Sequence, residues 1–257
     1  MKTIGLALGG GGARGIAHIA YLKAMEQQSI KPHVIAGTSS GAIVGALYAG
    51  GMSPDGMYAM LESAFCLKRS GAFVLKLLKH NDLAGALTEK FLSKLLLKKT
   101  FEELEIPLKL VATNFHTLQE KVFTQGEILP ALMSSIAFPN VFVPQRVGSE
   151  LYVDGGATNI VPFDIIRKEC DVLIAIDVSQ VRADVSLKPS NKNALHATWA
   201  ATEEALIQAK LKESPVDIFE RPTLEDISTM EFYKFKSIYK RAEALLPGFV
   251  EQLKKVR

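Results

Sequence analysis

The chain has 257 residues, 48% hydrophobic and 22% charged, with a formal net charge of +3. That length is enough to bury a full core, and the composition leaves no case for disorder. The charge is too small to argue for nucleic acid, and no stretch approaches the roughly eighteen apolar residues needed to span a bilayer. The two cysteines, Cys66 and Cys170, lie far apart in no metal or redox spacing, which suits a reducing, cytoplasmic setting.

In chain order, Thr3 to Leu8 is an apolar run that ends in four glycines, too short for a signal peptide and readable as a first strand. Helical spacing covers Ala13 to Gln28, Val34 to Ala36 gives a second strand, and Ser40 to Ala49 a second helix closed by Gly50-Gly51. Ser53 with Pro54 marks a further helix start. Leu108 to Asn114, Lys121 to Thr124, Val141 to Val147 and Leu151 to Val153 are predicted strands. Asp171 to Val178 is almost wholly apolar, as a strand covered on both faces is. Asn193 to Lys212 and Glu231 to Lys255 are long helical stretches, the second interrupted at Pro247-Gly248. Strands alternating with helices predict a three-layer α/β/α sandwich on a mainly parallel sheet. With no repeat or linker in view, residues 1–257 are expected to form one domain, with 65–100 as a helical insertion or cap.

Three motifs carry the chemistry. Gly10-Gly11-Gly12-Ala13-Arg14-Gly15 satisfies the G-x-G-x-x-G spacing between a strand and a helix. A dinucleotide site also needs an acidic residue about twenty positions further on, and no Asp occurs before Asp55. A P-loop needs Gly-Lys-Ser/Thr, which Gly15-Ile16-Ala17 does not supply. A loop stripped of Cβ atoms can instead aim amides at a small anionic centre, as an oxyanion hole does. A nucleotide site and a purely structural turn stand as the alternatives.

Gly37-Thr38-Ser39-Ser40-Gly41 follows a strand and opens a helix. In that arrangement a serine is forced onto a sharp turn with its hydroxyl exposed. Ser39 is therefore the candidate nucleophile. In α/β-hydrolases the serine comes after several strands and a histidine follows the acid. Here the serine follows only the second strand. His196 is the one histidine beyond residue 150, and it falls within a helical stretch. A serine without histidine needs another base. Asp154, at the end of Leu151-Tyr152-Val153 and before Gly155-Gly156, supplies a carboxylate that can accept the serine proton if its site is partly desolvated. Alone, Asp-Gly-Gly is commonly just a turn.

Taken together, the three blocks resemble the patatin-like phospholipase family, small stand-alone bacterial members above all. The stretch from Ala131 to Pro139 is similar to that family's Ala-Ser-x-Ala-x-Pro segment, though looser, which leaves the roles of Ser134 and Ser135 open. The resemblance covers about residues 3–180. It implies an α/β/α sandwich, a Ser39–Asp154 dyad, and hydrolysis of fatty-acyl lipid esters without a metal or other cofactor. It further implies an oxyanion hole from the Gly10, Gly11 and Gly12 backbone, supported by Arg14, with Gly15, Gly37, Gly41, Gly155 and Gly156 as motif glycines.

Two other functions share these residues: an acyltransferase using the same dyad, and a weakly active or non-catalytic lipid-binding regulator. Residues 65–100 hold eight basic residues against Asp82 and Glu89. Phe73 to Lys79 and Leu92 to Lys99 mix apolar and cationic side chains as an interfacial helix does. The segment is thus read either as a peripheral contact with anionic membrane or as a helix packed on the core with a solvated lysine face.

Overall fold

The computed structural model describes residues 2–66, 81–180 and 191–256. Its centre is an eight-stranded mixed sheet formed by β1 (Ile4–Leu8), β2 (Val34–Thr38), β3 (Leu108–Asn114), β4 (Glu120–Phe123), β5 (Gln145–Val147), β6 (Glu150–Asp154), β7 (Val172–Ile176) and β8 (Ile218–Glu220). The pairs β1–β2, β1–β7, β2–β3 and β7–β8 are parallel. The pairs β3–β4, β3–β6 and β5–β6 are antiparallel.

Alternation along the strands splits the core in two. Leu6, Leu8, Ile35, Leu110, Ile174 and Ile176 face one apolar cluster. Ala7, Ala36, Leu173 and Ala175 face the other. On the first face pack α1 (Ala17–Gln27), α2 (Ser40–Ala49), α3 (Pro54–Cys66), α4 (Asn81–Leu95), α5 (Ile128–Ser135), α8 (Phe235–Glu243) and α9 (Leu246–Val256). The second face is covered by the turn Asp164–Glu169 and by α7 (Asn191–Glu213), through Ile166, Ile207 and Leu211. A short helix, α6 (Gly156–Asn159), links β6 to that face. Apolar runs such as Val-Leu-Ile-Ala-Ile in β7 arise because both faces are covered.

One feature of the register positions the site. β4 lies along one side of β3, from Leu110 to Thr113. On the opposite side β2 runs parallel up to Thr38, paired with Val111, and β6 runs antiparallel down to Asp154, paired with Ala112. The two strands therefore meet end to end, each stopping where the other stops.

Several boundaries differ from the sequence expectation. Ala13–Gln28 divides into a 3-10 turn at Gly12–Ile16 and then α1. The predicted strand 141–147 survives only as Gln145–Val147. Its first part is a turn in which the Val141 and Phe142 amides donate to Phe138 O, and Pro144, lacking an N–H, precedes the strand. The C-terminal helix breaks at Ala244–Leu245, and Pro247 sits instead in the first turn of α9, where its missing N–H costs nothing. α3 begins as expected, with Ser53 Oγ accepting the Gly56 N–H at 3.1 Å.

Of the basic segment, residues 67–80 lie outside the described residues. In the remainder Leu92 and Leu96 are buried in the core, while Phe91 and Leu97 are exposed. No helix among the described residues is long and apolar enough to cross a membrane.

Candidate active site

Ser39 is the single residue between β2 and α2, with φ 52° and ψ −119°. A non-glycine residue there stores roughly 1–3 kcal/mol of strain. The packing around it holds the strain in place: a Cβ on Gly41 would lie 2.0 Å from Leu8 O, so the first turn of α2 rests directly on the end of β1. Gly37 lies against the backbone of Gly41 and Ala42, and Gly155 against Val111 O. Thr38 and Ser40 are buried on either side, whereas Ser39 is part-exposed. The sharp turn thus lifts one hydroxyl out of a packed junction. It also sets that hydroxyl at the N-terminus of α2, where the helix dipole favours negative charge.

Ser39 Oγ donates to Asp154 Oδ2 at 2.7 Å. The other carboxylate oxygen, Oδ1, accepts the Gly156 N–H at 2.8 Å. Asp154 itself is fixed by its N–H donating to Ala137 O at 3.1 Å and by Thr113 Oγ1 donating to Asp154 O at 3.0 Å. With 2% of its surface exposed, Asp154 has its pKa raised to about 6; burial is the cause, opposed by the Gly156 N–H and the Ser39 hydroxyl. A carboxylate of that basicity is ionised at neutral pH and holds a transferred proton better than an exposed aspartate does.

The roles of the two serines in the 131–139 block differ. Ser135 Oγ accepts the Ser39 N–H at 3.0 Å, tying α5 to the serine turn. Ser134 Oγ donates to Pro130 O at 2.8 Å, within its own helix.

The glycine loop lies alongside. A Cβ on Gly10 would sit 3.1 Å from Ser39 Cβ, and one on Gly15 would strike the Ser40 side chain at 2.4 Å. The Gly10 N–H is already given to Ile160 O at 2.9 Å, which makes that residue a wall of the site. Arg14 is 2% exposed; its Nε donates to Gly11 O at 3.3 Å and its Nη1 to Gln180 O. Burial pulls its pKa below the usual guanidinium value, against the opposing pull of Glu203, Asp177 and Glu225. His18 is wholly buried beneath the loop with Nε2 2.8 Å from Gly9 O, and burial lowers its pKa to about 4, so it stays neutral.

Sequence reasoning missed Glu203. It lies on α7, where Trp199 Nε1 donates to its Oε1 at 2.6 Å. A Cβ on Gly156 would be 3.1 Å from both Glu203 Oε1 and Asp154 Oδ1. The spacing of Trp199 and Glu203, one helical turn apart, was the available signal. The side chain of His196, on the same helix, lies outside the described residues. Among the described residues no group of three or more His, Cys, Asp or Glu is placed to hold a metal ion.

The molecule is thus an α/β sandwich with a buried carboxylate bonded to a serine on a strand-to-helix turn. The family profile described as patatin-like phospholipase matches residues 6–167, and the chain belongs to that family. It is 25% identical to lysophospholipase NTE1 of Kluyveromyces lactis over 286 residues, covering 98% of this chain and 19% of that protein. It is 28% identical to human patatin-like phospholipase domain-containing protein 6, covering 93% of this chain and 19% of that protein. The chain therefore spans about a fifth of the length of these relatives. The fold is similar to the crystal structure of VipD from Legionella pneumophila, with a TM-score of 0.52, 16% identity, and coverage of 96% of this chain and 67% of that one.

Proposed function

We propose that the protein is a serine acyl hydrolase that cleaves fatty-acyl esters of phospholipids or lysophospholipids through an acyl-Ser39 intermediate. The observation that carries this reading is the 2.7 Å bond from Ser39 Oγ to the buried Asp154 carboxylate. Ser39 Oγ attacks the acyl carbonyl while its proton passes to Asp154 Oδ2. The Gly11 and Gly12 amides and the N-terminus of α2 hold the negative oxygen that forms; a donor of this kind contributes on the order of 10²–10³-fold. The C–O bond then breaks and Asp154 returns the proton to the leaving alcohol. Water then attacks the acyl-Ser39 carbonyl, giving a proton to Asp154, and Asp154 passes that proton to Ser39 Oγ as the acyl–Oγ bond breaks and the fatty acid leaves.

The lysophospholipase names of the relatives favour a lipid carrying a single acyl chain. Hydrolysis of long-chain p-nitrophenyl esters and of lysophospholipid tests the reading. Activity is expected in the native chain and absent from Ser39→Ala. Full hydrolysis by folded Ser39→Ala would overturn it.

A further inference from the structure

α7 packs against α6, and that contact sets a second carboxyl beside the first. Gly156 lacks a side chain, and the point its Cβ would occupy is 3.1 Å from Asp154 Oδ1 and 3.1 Å from Glu203 Oε1. The two oxygens are therefore no more than about 6 Å apart, within the range where like charges oppose each other's ionisation. The Trp199 N–H fixes Glu203 Oε1 in place at 2.6 Å. We propose that Glu203 is a positioning residue of this site: its carboxyl faces that of Asp154 across bare Gly156, and its charge state sets how tightly Asp154 holds a proton. The catalytic consequence rests on Asp154 being the base; the coupling itself does not.

Among the described residues, groups from several neighbouring elements act on Glu203. Asp154 acts from the end of β6, Asp177 from beyond β7 and Arg14 from the glycine turn, and Trp199 is its neighbour on α7. Burial raises its pKa to about 8, with Asp154 and Asp177 adding to the rise while the Trp199 N–H and Arg14 oppose it. At neutral pH Glu203 is thus protonated while Asp154 is ionised, so the site carries one negative charge where two carboxyls stand. Coupled groups of this kind titrate as a pair, in two steps. The pair also accounts for the second glycine after Asp154, since a side chain at Gly156 would be wedged between both carboxyls and Ile160.

The test is a pH titration of the whole chain labelled with ¹³C at the aspartate carboxyls, with the Asp154 signal identified by its loss in Asp154→Asn. In the native protein the Asp154 resonance should report two steps, near pH 6 and near pH 8. Glu203→Gln should abolish the upper step and keep the lower. Glu203→Lys should move the lower step toward acid by at least about half a pH unit, as a cation at this range does. The pH dependence of Ser39 phosphonylation by a fluorophosphonate should show the same changes; a role confined to packing would lower the rate without moving the profile. Superimposable Asp154 titrations in the native chain and Glu203→Gln would overturn the proposal, with Glu203→Gln remaining decisive if Glu203→Lys fails to fold. If the probe labels Ser39 in no variant, the dyad reading falls while the resonance titration still decides the role of Glu203.

Discussion

Thr38 and Asp154 occupy consecutive positions along one edge of β3, paired with Val111 and Ala112 respectively. Ser39 follows Thr38 by one residue, so two strands that approach each other head-on deliver a hydroxyl and a carboxylate to one point. Their separation in sequence, 115 residues, is closed by register rather than by any loop.

Replacing Ser39 separates chemistry from strain. Ser39→Ala is expected to lower ester hydrolysis by at least roughly 10³-fold with the fold retained. Ser39→Gly should be equally inactive yet more stable than Ser39→Ala by about 1–2 kcal/mol, because φ 52° suits glycine and not alanine. Denaturant midpoints of the two variants check this, and equal stability would contradict the strain.

Activity should fall below about pH 6, where Asp154 is protonated. The same raised pKa has a stability sign. A carboxyl whose pKa is higher folded than unfolded favours folding fully only below the unfolded value, and that contribution is lost as pH rises through about 6. Asp154→Asn should therefore be inactive but stabilised at pH 8, by roughly 1–3 kcal/mol, relative to its difference from the native chain at pH 4. Thermal unfolding at both pH values measures it.

Ser135→Ala removes the acceptor of the Ser39 N–H. The cost should be about 1–3 kcal/mol, from a backbone donor left unpaired, with kcat down about tenfold and KM little changed. Steady-state kinetics alongside denaturation distinguish this from a general loss of folding.

Gly41→Ala places a methyl 2.0 Å from a backbone oxygen of β1 that cannot move aside. A loss of 3 kcal/mol or more is expected, as for severe overpacking. Gly248→Ala, exposed in the first turn of α9 with nothing among the described residues within 4 Å, serves as the control and should be neutral or slightly stabilising within its helix.

Much of this was legible because the signals are local. Continuous apolar runs marked β1, β3 and β7, and the turn Gly37–Gly41 marked the strand-to-helix junction without any tertiary information. Asp154 was legible as a carboxylate ending a strand next to glycines. β8 is three residues long and too short for alternation to register. The 141–147 run was misleading because β-branched and aromatic residues favour strands, whereas the Phe138 carbonyl organises a turn there. Glu203 was hidden for a different reason. Glu203 and Glu204 look alike as a solvated helix face, yet packing of α7 on α6 turns Glu203 toward Gly156 while Glu204 pairs with Arg221 at 2.8 Å. Only the assembled fold decides which of two adjacent glutamates faces Gly156 and Asp154.

The most direct test of the Ser39–Asp154 pairing is the intact mass of the chain after fluorophosphonate treatment, with the adduct mapped by peptide and its rate compared with that of Asp154→Asn. The account predicts one adduct per chain, on Ser39, forming at least about 100-fold more slowly in Asp154→Asn. An adduct on another serine, or labelling of Ser39 undiminished in Asp154→Asn, would contradict it.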